Sequence, residues 1–230
     1  MRRFGVALGL GWAIFVTISS SIATAGAVRI SQIYPRGATV VSSYDADYVE
    51  LFNFSADPVD VGGWLLAYGG SNPTSLYGCA GCTNAFPAGT SIAPCGFLLV
   101  QLGSAHPELA PALPPFDLSF STPDMGSSGS IALISNGLPS GTCVTGVTVE
   151  DLVGWGGVSC FAGQHPAPAI DATHAILRLG EGTVQTNQNS LDYVLSSPTP
   201  RNSSSPKSQT CIASPAAETS WGRVRVFYRE

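Results

Sequence analysis

Asp47-Tyr48-Val49-Glu50-Leu51-Phe52-Asn53, DYVELFN, is the stretch that decides the fold. Read at a period of two, Val49 and Leu51 fall on one face, and Tyr48, Glu50 and Phe52 on the other. That is strand spacing, not helical spacing. Upstream, Val28 to Tyr34 alternates weakly but carries Val, Ile and Tyr, which suits a second strand. Downstream, the short run Pro58 to Val61 ends at Gly62-Gly63, a turn signal, and Trp64 to Tyr68 follows as the next apolar run. Gly69 to Pro94 is looser, rich in Gly, Ser, Pro and Cys. Gly96 to Leu102 (GFLLVQL) reads as a buried strand, and the proline-bearing Ser104 to Ser128 as a long surface connection. Ile131 to Ser135, Val147 to Trp155, His174 to Leu179 and Leu191 to Leu195 complete the set. No segment sustains a helical period and no internal repeat is present. Short strands parted by the turns that 26 glycines and 17 prolines supply, with 44% hydrophobic residues to fill a core, predict an all-β fold. Its expected form is an antiparallel β-sandwich with Greek-key connections.

The flanks read differently. Arg2 and Arg3 precede an uncharged, mostly apolar run from Phe4 to Ile18, and Ala23-Thr24-Ala25 and Ala25-Gly26-Ala27 offer small residues for a signal peptidase. The run is short for a bilayer span of about 20 residues. Residues 1–27 are therefore expected to be a signal peptide with a helical core. No later segment is apolar enough to span, so the mature chain is expected outside the cytoplasm, secreted or at the cell surface or periplasm. At the other end, residues 203–217 form a Ser/Pro/Ala-rich linker. The tail 218–230 contains Trp221-Gly222-Arg223-Val224-Arg225-Val226-Phe227-Tyr228-Arg229, which alternates as a strand would. Three uses of this tail stand open: addition to a partner's sheet edge, a sorting tag, and packing back on its own domain.

Six cysteines behind a signal peptide point to disulfides. Cys143 and Cys160 flank one strand-like segment and form the first expected pair. Two of Cys79, Cys82 and Cys95 are expected to pair with each other, and the third can reach Cys211. A zinc knuckle of Cys79, Cys82, Cys95 and His106 has tolerable spacing, and Cys79-x-x-Cys82 has the form of a redox motif. Export into an oxidising compartment argues against free thiolates, and no helix follows Cys82.

Seven short motifs in order carry a resemblance: VRISQIYPRG (28–37), DYVELFN (47–53), PVDVGGWLL (58–66), APCGFLLVQL (93–102), SGSIALIS (128–135), EDLVGWG (150–156) and LDYVLSSPTPRN (191–202). The chain resembles the lamin-tail domain as it occurs in secreted bacterial proteins, over residues 28–202. The resemblance implies an immunoglobulin-like sandwich without catalytic residues of its own, and roles such as surface attachment or presentation of partner domains. One departure is Gln185-Thr186-Asn187-Gln188-Asn189, where family members often carry an Asp-Thr pair. Independently of the resemblance, Gly62-Gly63 permits a tight turn, and Trp64 and Trp155 read as core.

Chemistry is sparse. Between Ile30 and Pro200, thirteen acids face only Arg36 and Arg178, a formal charge of about −11 that disfavours nucleic acid as a partner. Asp45-Ala46-Asp47 with Glu50 is the best candidate calcium cluster, although it matches no EF-hand loop, and Glu150-Asp151 is second. His106, His165 and His174 are a poor catalytic supply, and Gly126-Ser127-Ser128-Gly129 has the wrong spacing for a nucleophile elbow. Asn53-Phe54-Ser55 and Asn202-Ser203-Ser204 fit a glycosylation acceptor. The expected function is an exported, non-catalytic interaction, adhesion or surface-attachment module with an unidentified protein or cell-envelope partner. The rivals are a calcium-dependent binding module and a secreted hydrolase with an unrecognised site. No cofactor is expected beyond calcium.

Overall fold

The computed structural model describes residues 26–71, 77, 81–139, 141, 143–144 and 147–212. The expected signal segment up to residue 25 and the tail from residue 213 lie outside the described residues, as does Cys79.

Twelve strands dominate the described residues: β1 Val28–Tyr34, β2 Asp47–Asn53, β3 Val59–Asp60, β4 Leu65–Gly70, β5 Thr83–Ala85, β6 Ser91–Ile92, β7 Phe97–Leu102, β8 Leu118–Phe120, β9 Gly129–Asn136, β10 Thr148–Trp155, β11 Ala175–Arg178 and β12 Tyr193–Ser196. Two one-turn helices, α1 Asn189–Asp192 and α2 Gln209–Ile212, and a 3-10 turn at Gly180–Gly182 are the helical content among the described residues. Six strands form one sheet in the order β12-β11-β1-β2-β7-β8 and four form the other in the order β10-β9-β4-β5, while β3 and β6 make a separate ribbon. Among these strands every pairing is antiparallel except β7 with β8, and an isolated parallel bridge joins Trp155 to Ala167. This is the immunoglobulin-like sandwich, with the apolar faces of both sheets turned inward.

DYVELFN lies in the middle of the larger sheet, paired with β1 through Val49↔Ile33 and Leu51↔Ile30 and with β7 through Val49↔Val100 and Leu51↔Leu98. Val49 and Leu51 enter the main core with Ile30, Ile33, Leu98, Val100, Leu66, Ile131, Leu133, Val153 and Trp155. The weak alternation of β1 has a local cause. The register shifts between Ile30 and Gln32, so Ser31 is an extra residue and both Ile30 and Ile33 reach the core. Gly63 takes φ +80° in the turn that sends Trp64 back over that core, a conformation open to glycine at little cost.

The outer face of the larger sheet is covered as well, and every residue of β2 is buried. Tyr34 stacks on Tyr48 at 5.4 Å between ring centroids, and Phe52 on Phe97 at 5.1 Å. Leu113, from the 104–117 connection, caps the tyrosines. The segment 197–212 crosses the same face as a strap. Gln32 Nε2 donates to Thr199 O, Arg201 pairs with Glu50 at 2.8 Å and sits 3.8 Å over the Phe97 ring, and Asn202 Nδ2 donates to Pro115 O. Ser208 N–H donates to Cys95 O, and a disulfide joins Cys95 to Cys211. The part of the linker reading that is described, residues 203–212, therefore lies against the sheet. A second disulfide, Cys143–Cys160, covers the outer side of the smaller sheet over Ala132 and Ile134. Cys82 is also disulfide-bonded.

The regions read as loose contain order that local sequence does not announce. β5 and β6 fall within Gly69 to Pro94, and β8 within Ser104 to Ser128. These strands are two or three residues long, too short for a period to register. Their pairing is set by neighbours: β5 by β4, β6 by β3, β8 by β7.

Five of the thirteen acids, Asp45, Asp47, Glu50, Asp151 and Asp192, are buried, and so is Arg178. The guanidinium of Arg178 donates to Asp151 (2.5 Å), to Asp192 (3.4 Å), to the Tyr193 hydroxyl and to Ile30 O, tying β1, β10, β11 and α1 together. The exterior of this body still carries eight acids against Arg36.

Candidate functional site

The three residues read as a calcium cluster serve three separate purposes. Asp45 is buried, and its Oδ1 accepts from Leu113 N–H at 2.8 Å, fixing the 104–117 connection. Asp47 accepts from Gly37 N–H at 2.6 Å on Oδ1 and from Met125 N–H at 2.5 Å on Oδ2. Glu50 lies on the opposite face of β2, fully buried. It accepts from Ser31 Oγ (2.5 Å), Arg201 N–H (2.7 Å) and the Arg201 guanidinium. Burial still holds the Glu50 carboxyl above its usual range despite Arg201. No group of three or more His, Cys, Asp or Glu among the described residues is placed to hold a metal ion. Cys82 and Cys95, two members of the zinc alternative, are in disulfides.

Asp47 is the anchor of a built loop. Residues 35–46 join β1 to β2 at one end of the sandwich, and Asp47 clasps this loop through Gly37 and the 121–127 loop through Met125. Gly37 runs so close to Ala46 that a Cβ there would sit 2.2 Å from the Ala46 carbonyl carbon. Arg36 and Ala38 on either side hold positive φ, 64° and 62°, so local strain is locked in by the surroundings. Ser42 Oγ donates to Arg36 O and accepts from Thr39 N–H. The Tyr34 hydroxyl donates to Ala172 O and accepts from Ser43 N–H, and Ser43 N–H donates to Ala172 O, fastening the loop to residues 170–174.

That rigid frame presents Val40 and Val41 to solvent, 80% and 65% exposed. Beside them is an open depression of about 340 Å³ lined by Arg36, Val41, Ser127, Ile170, Asp171 and Thr173. At its rim Asp171 accepts from the His174 ring (2.8 Å) and from the amide and hydroxyl of Thr173. The His174 bond is the main cause that holds the exposed Asp171 carboxyl down at about 2, with the two Thr173 bonds adding to it. This is not a working triad. The Thr173 hydroxyl and the Asp171 carboxylate crowd the same ring nitrogen, Nδ1. A base and its orienting acid need opposite nitrogens. His106 lies elsewhere, against Glu108 on the exposed connection.

Burial pushes the Asp47 carboxyl up to about 7, against the two N–H bonds that oppose it; Asp124 adds to the rise and Arg36 reduces it. A carboxyl whose native pKa lies above its unfolded value favours the fold when protonated. Its stabilisation is full below the unfolded pKa and is lost as pH rises through about 4 to 7. The melting temperature of the wild type minus that of Asp47→Asn is therefore expected to fall across that window, and a flat difference refutes the assignment.

Sequence reading passed over Arg36, Val40, Val41, Ile170, Asp171 and His174 as site residues. The available signal was the adjacent pair Val40-Val41 in the middle of a connecting loop. Trp155, expected in the core, is fully buried there, and Trp64 packs partly buried against the same cluster. Asn53, a glycosylation candidate, is fully buried, with its amide donating to Ile92 O and Asp57 O.

Comparison with solved structures finds a DUF4876 family protein from Bacteroides thetaiotaomicron at a TM-score of 0.54 and 12% identity, covering 80% of this chain and 75% of that one. At that identity the likeness is one of fold. No curated protein matches. The Lamin Tail Domain family model matches residues 21–152, more than half of the chain, and takes in the sheet centre, the turn at Gly62-Gly63 and the clasped loop. The chain belongs to the lamin-tail domain family.

Proposed function

We propose that this protein is an exported, non-catalytic interaction module that grips a protein component of the cell envelope or extracellular space through the rim of the 35–46 loop. One observation carries the reading: two adjacent valines are held out to water on a loop fixed from several sides. Apolar side chains on a preorganised frame lose little entropy when covered, which is how binding loops gain affinity. Arg36 beside them supplies a directional contact on an otherwise acidic body. Export is supported by the basic, apolar and small-residue order of the first 27 residues and by the disulfides. In addition, no helix among the described residues is long and apolar enough to cross a membrane.

The test is a binding screen of the purified protein against envelope proteins, wall polymers and glycans, repeated with V40D/V41D. Exposed substitutions change stability by only about 0.5 kcal/mol, so the variant is expected to fold. Loss of a central apolar contact weakens binding by about tenfold or more. Equal binding by the variant, or no ligand in any class, rejects the reading.

A further inference from the structure

At the free edge of the six-stranded sheet, β12 has no strand on its outer side among the described residues. Leu179 N–H donates to Asp192 O, and the antiparallel register with β11 pairs Leu177 with Val194 and Ala175 with Ser196. Bonded and non-bonded pairs alternate. The N–H and C=O of Leu195, the C=O of Tyr193 and the N–H of Ser197 therefore point away from the sheet. Tyr193 N–H is already given to Asn189 O. The side chains along this edge are apolar and open: Leu191 55%, Val194 44%, Leu195 36% and Leu179 41% exposed.

Sheet edges are normally protected by a charge, a proline or a bulge. This one lacks the first. From Gly182 to Pro200 the sole charged residue is Asp192, which is buried and bonded to Arg178. Proline arrives only at Pro198, past the strand. Between Ile30 and Pro200 the exterior otherwise carries eight acids against Arg36, so an edge free of charge meets a second copy with less repulsion.

We infer that β12 pairs antiparallel with β12 of a second copy of this chain, about a two-fold axis at Leu195. The two Leu195 residues exchange both of their backbone bonds. Tyr193 C=O of each copy accepts from Ser197 N–H of the other, so four bonds join two sandwiches into one continuous twelve-stranded sheet. A two-fold interface requires this self-complementarity. The strand is short, so the dimer is weak and concentration-dependent.

Sedimentation of the full chain across a wide concentration range reads the association, and hydrogen exchange reads the Leu195 amide. A reversible dimer is expected, with the Leu195 amide protected only at high concentration. Leu195→Pro removes no bond to β11, because that N–H points outward, yet it deletes two of the four bonds between copies. It is expected to raise the dissociation constant about tenfold or more. Leu138→Asp, at another exposed apolar residue, should leave it unchanged. A monomer at every concentration overturns the proposal. With an unprotected Leu195 amide the edge is simply open; with a protected one, another part of the same chain covers it. A dimer insensitive to Leu195→Pro overturns it equally.

Discussion

Arg178→Ala is expected to destabilise the protein by about 3–5 kcal/mol, because it strands two buried carboxylates without a counter-charge. Arg178 has a fully buried side chain, and Asp151 and Asp192 are nearly as enclosed. Its five N–H donors also serve Ile30 O, Val184 O, Gln185 and the Tyr193 hydroxyl, so the loss unpairs backbone as well. Typical domains unfold for about 5–15 kcal/mol in total. The change therefore consumes a large share of the margin, and the urea midpoint should drop accordingly. Arg178→Lys is expected to recover only part of it. A lysine keeps the charge but cannot reach this many acceptors with one ammonium group. A midpoint within error of wild type for Arg178→Ala would show that the network is solvated and not enclosed.

The second large effect is expected at the strap. The Cys95–Cys211 disulfide spans a sequence separation of 116 residues. Closing a loop of about 100 residues restricts the unfolded chain by about 4.7 kcal/mol in the chain-entropy model, with measured losses of about 2–5. C95S/C211S is expected to lower the unfolding free energy within that range. It should also speed hydrogen exchange at Arg201 N–H, which donates to Glu50. The exchange readout separates strap loosening from a general loss of stability: an amide such as Leu51, deep in the sheet, should follow global unfolding alone. Unchanged exchange at Arg201 would mean that the ion pair and the Phe97 contact hold the strap without the covalent link.

Continuous apolar runs placed β7 and β9, and period-two spacing placed β2, whose Val49 and Leu51 alternate toward the core. It blurred at β1, where the extra Ser31 breaks the alternation that Ile30 and Ile33 otherwise share. It was silent for β5, β6 and β8, which exist because a neighbouring strand offers hydrogen bonds and not because their own residues demand it. The acidic balance was countable, but its location was not. Glu50 meets Arg201 across 151 residues, and Asp151 meets Arg178 across 27, distances at which no local rule pairs charges. The aromatic residues Tyr48 and Phe52 on the second face of DYVELFN were the visible hint that this face, too, is covered. The loop rim escaped notice because Tyr34 and Asp47 at its two ends fasten it to Ala172 and Met125, which lie far along the chain.

Synthesis runs from the amino terminus, so Cys95 is made long before Cys211, and both Cys143 and Cys160 arrive in between. During that interval the thiol of Cys95 shares the nascent chain with four wrong partners, Cys79, Cys82, Cys143 and Cys160, and no right one. In the finished fold Cys95 is buried and faces Cys211 on the strap, so the sheet and the strap together favour the correct pair. Oxidation imposed early, before the sheet closes, should therefore trap scrambled chains that only a thiol exchange catalyst can rescue.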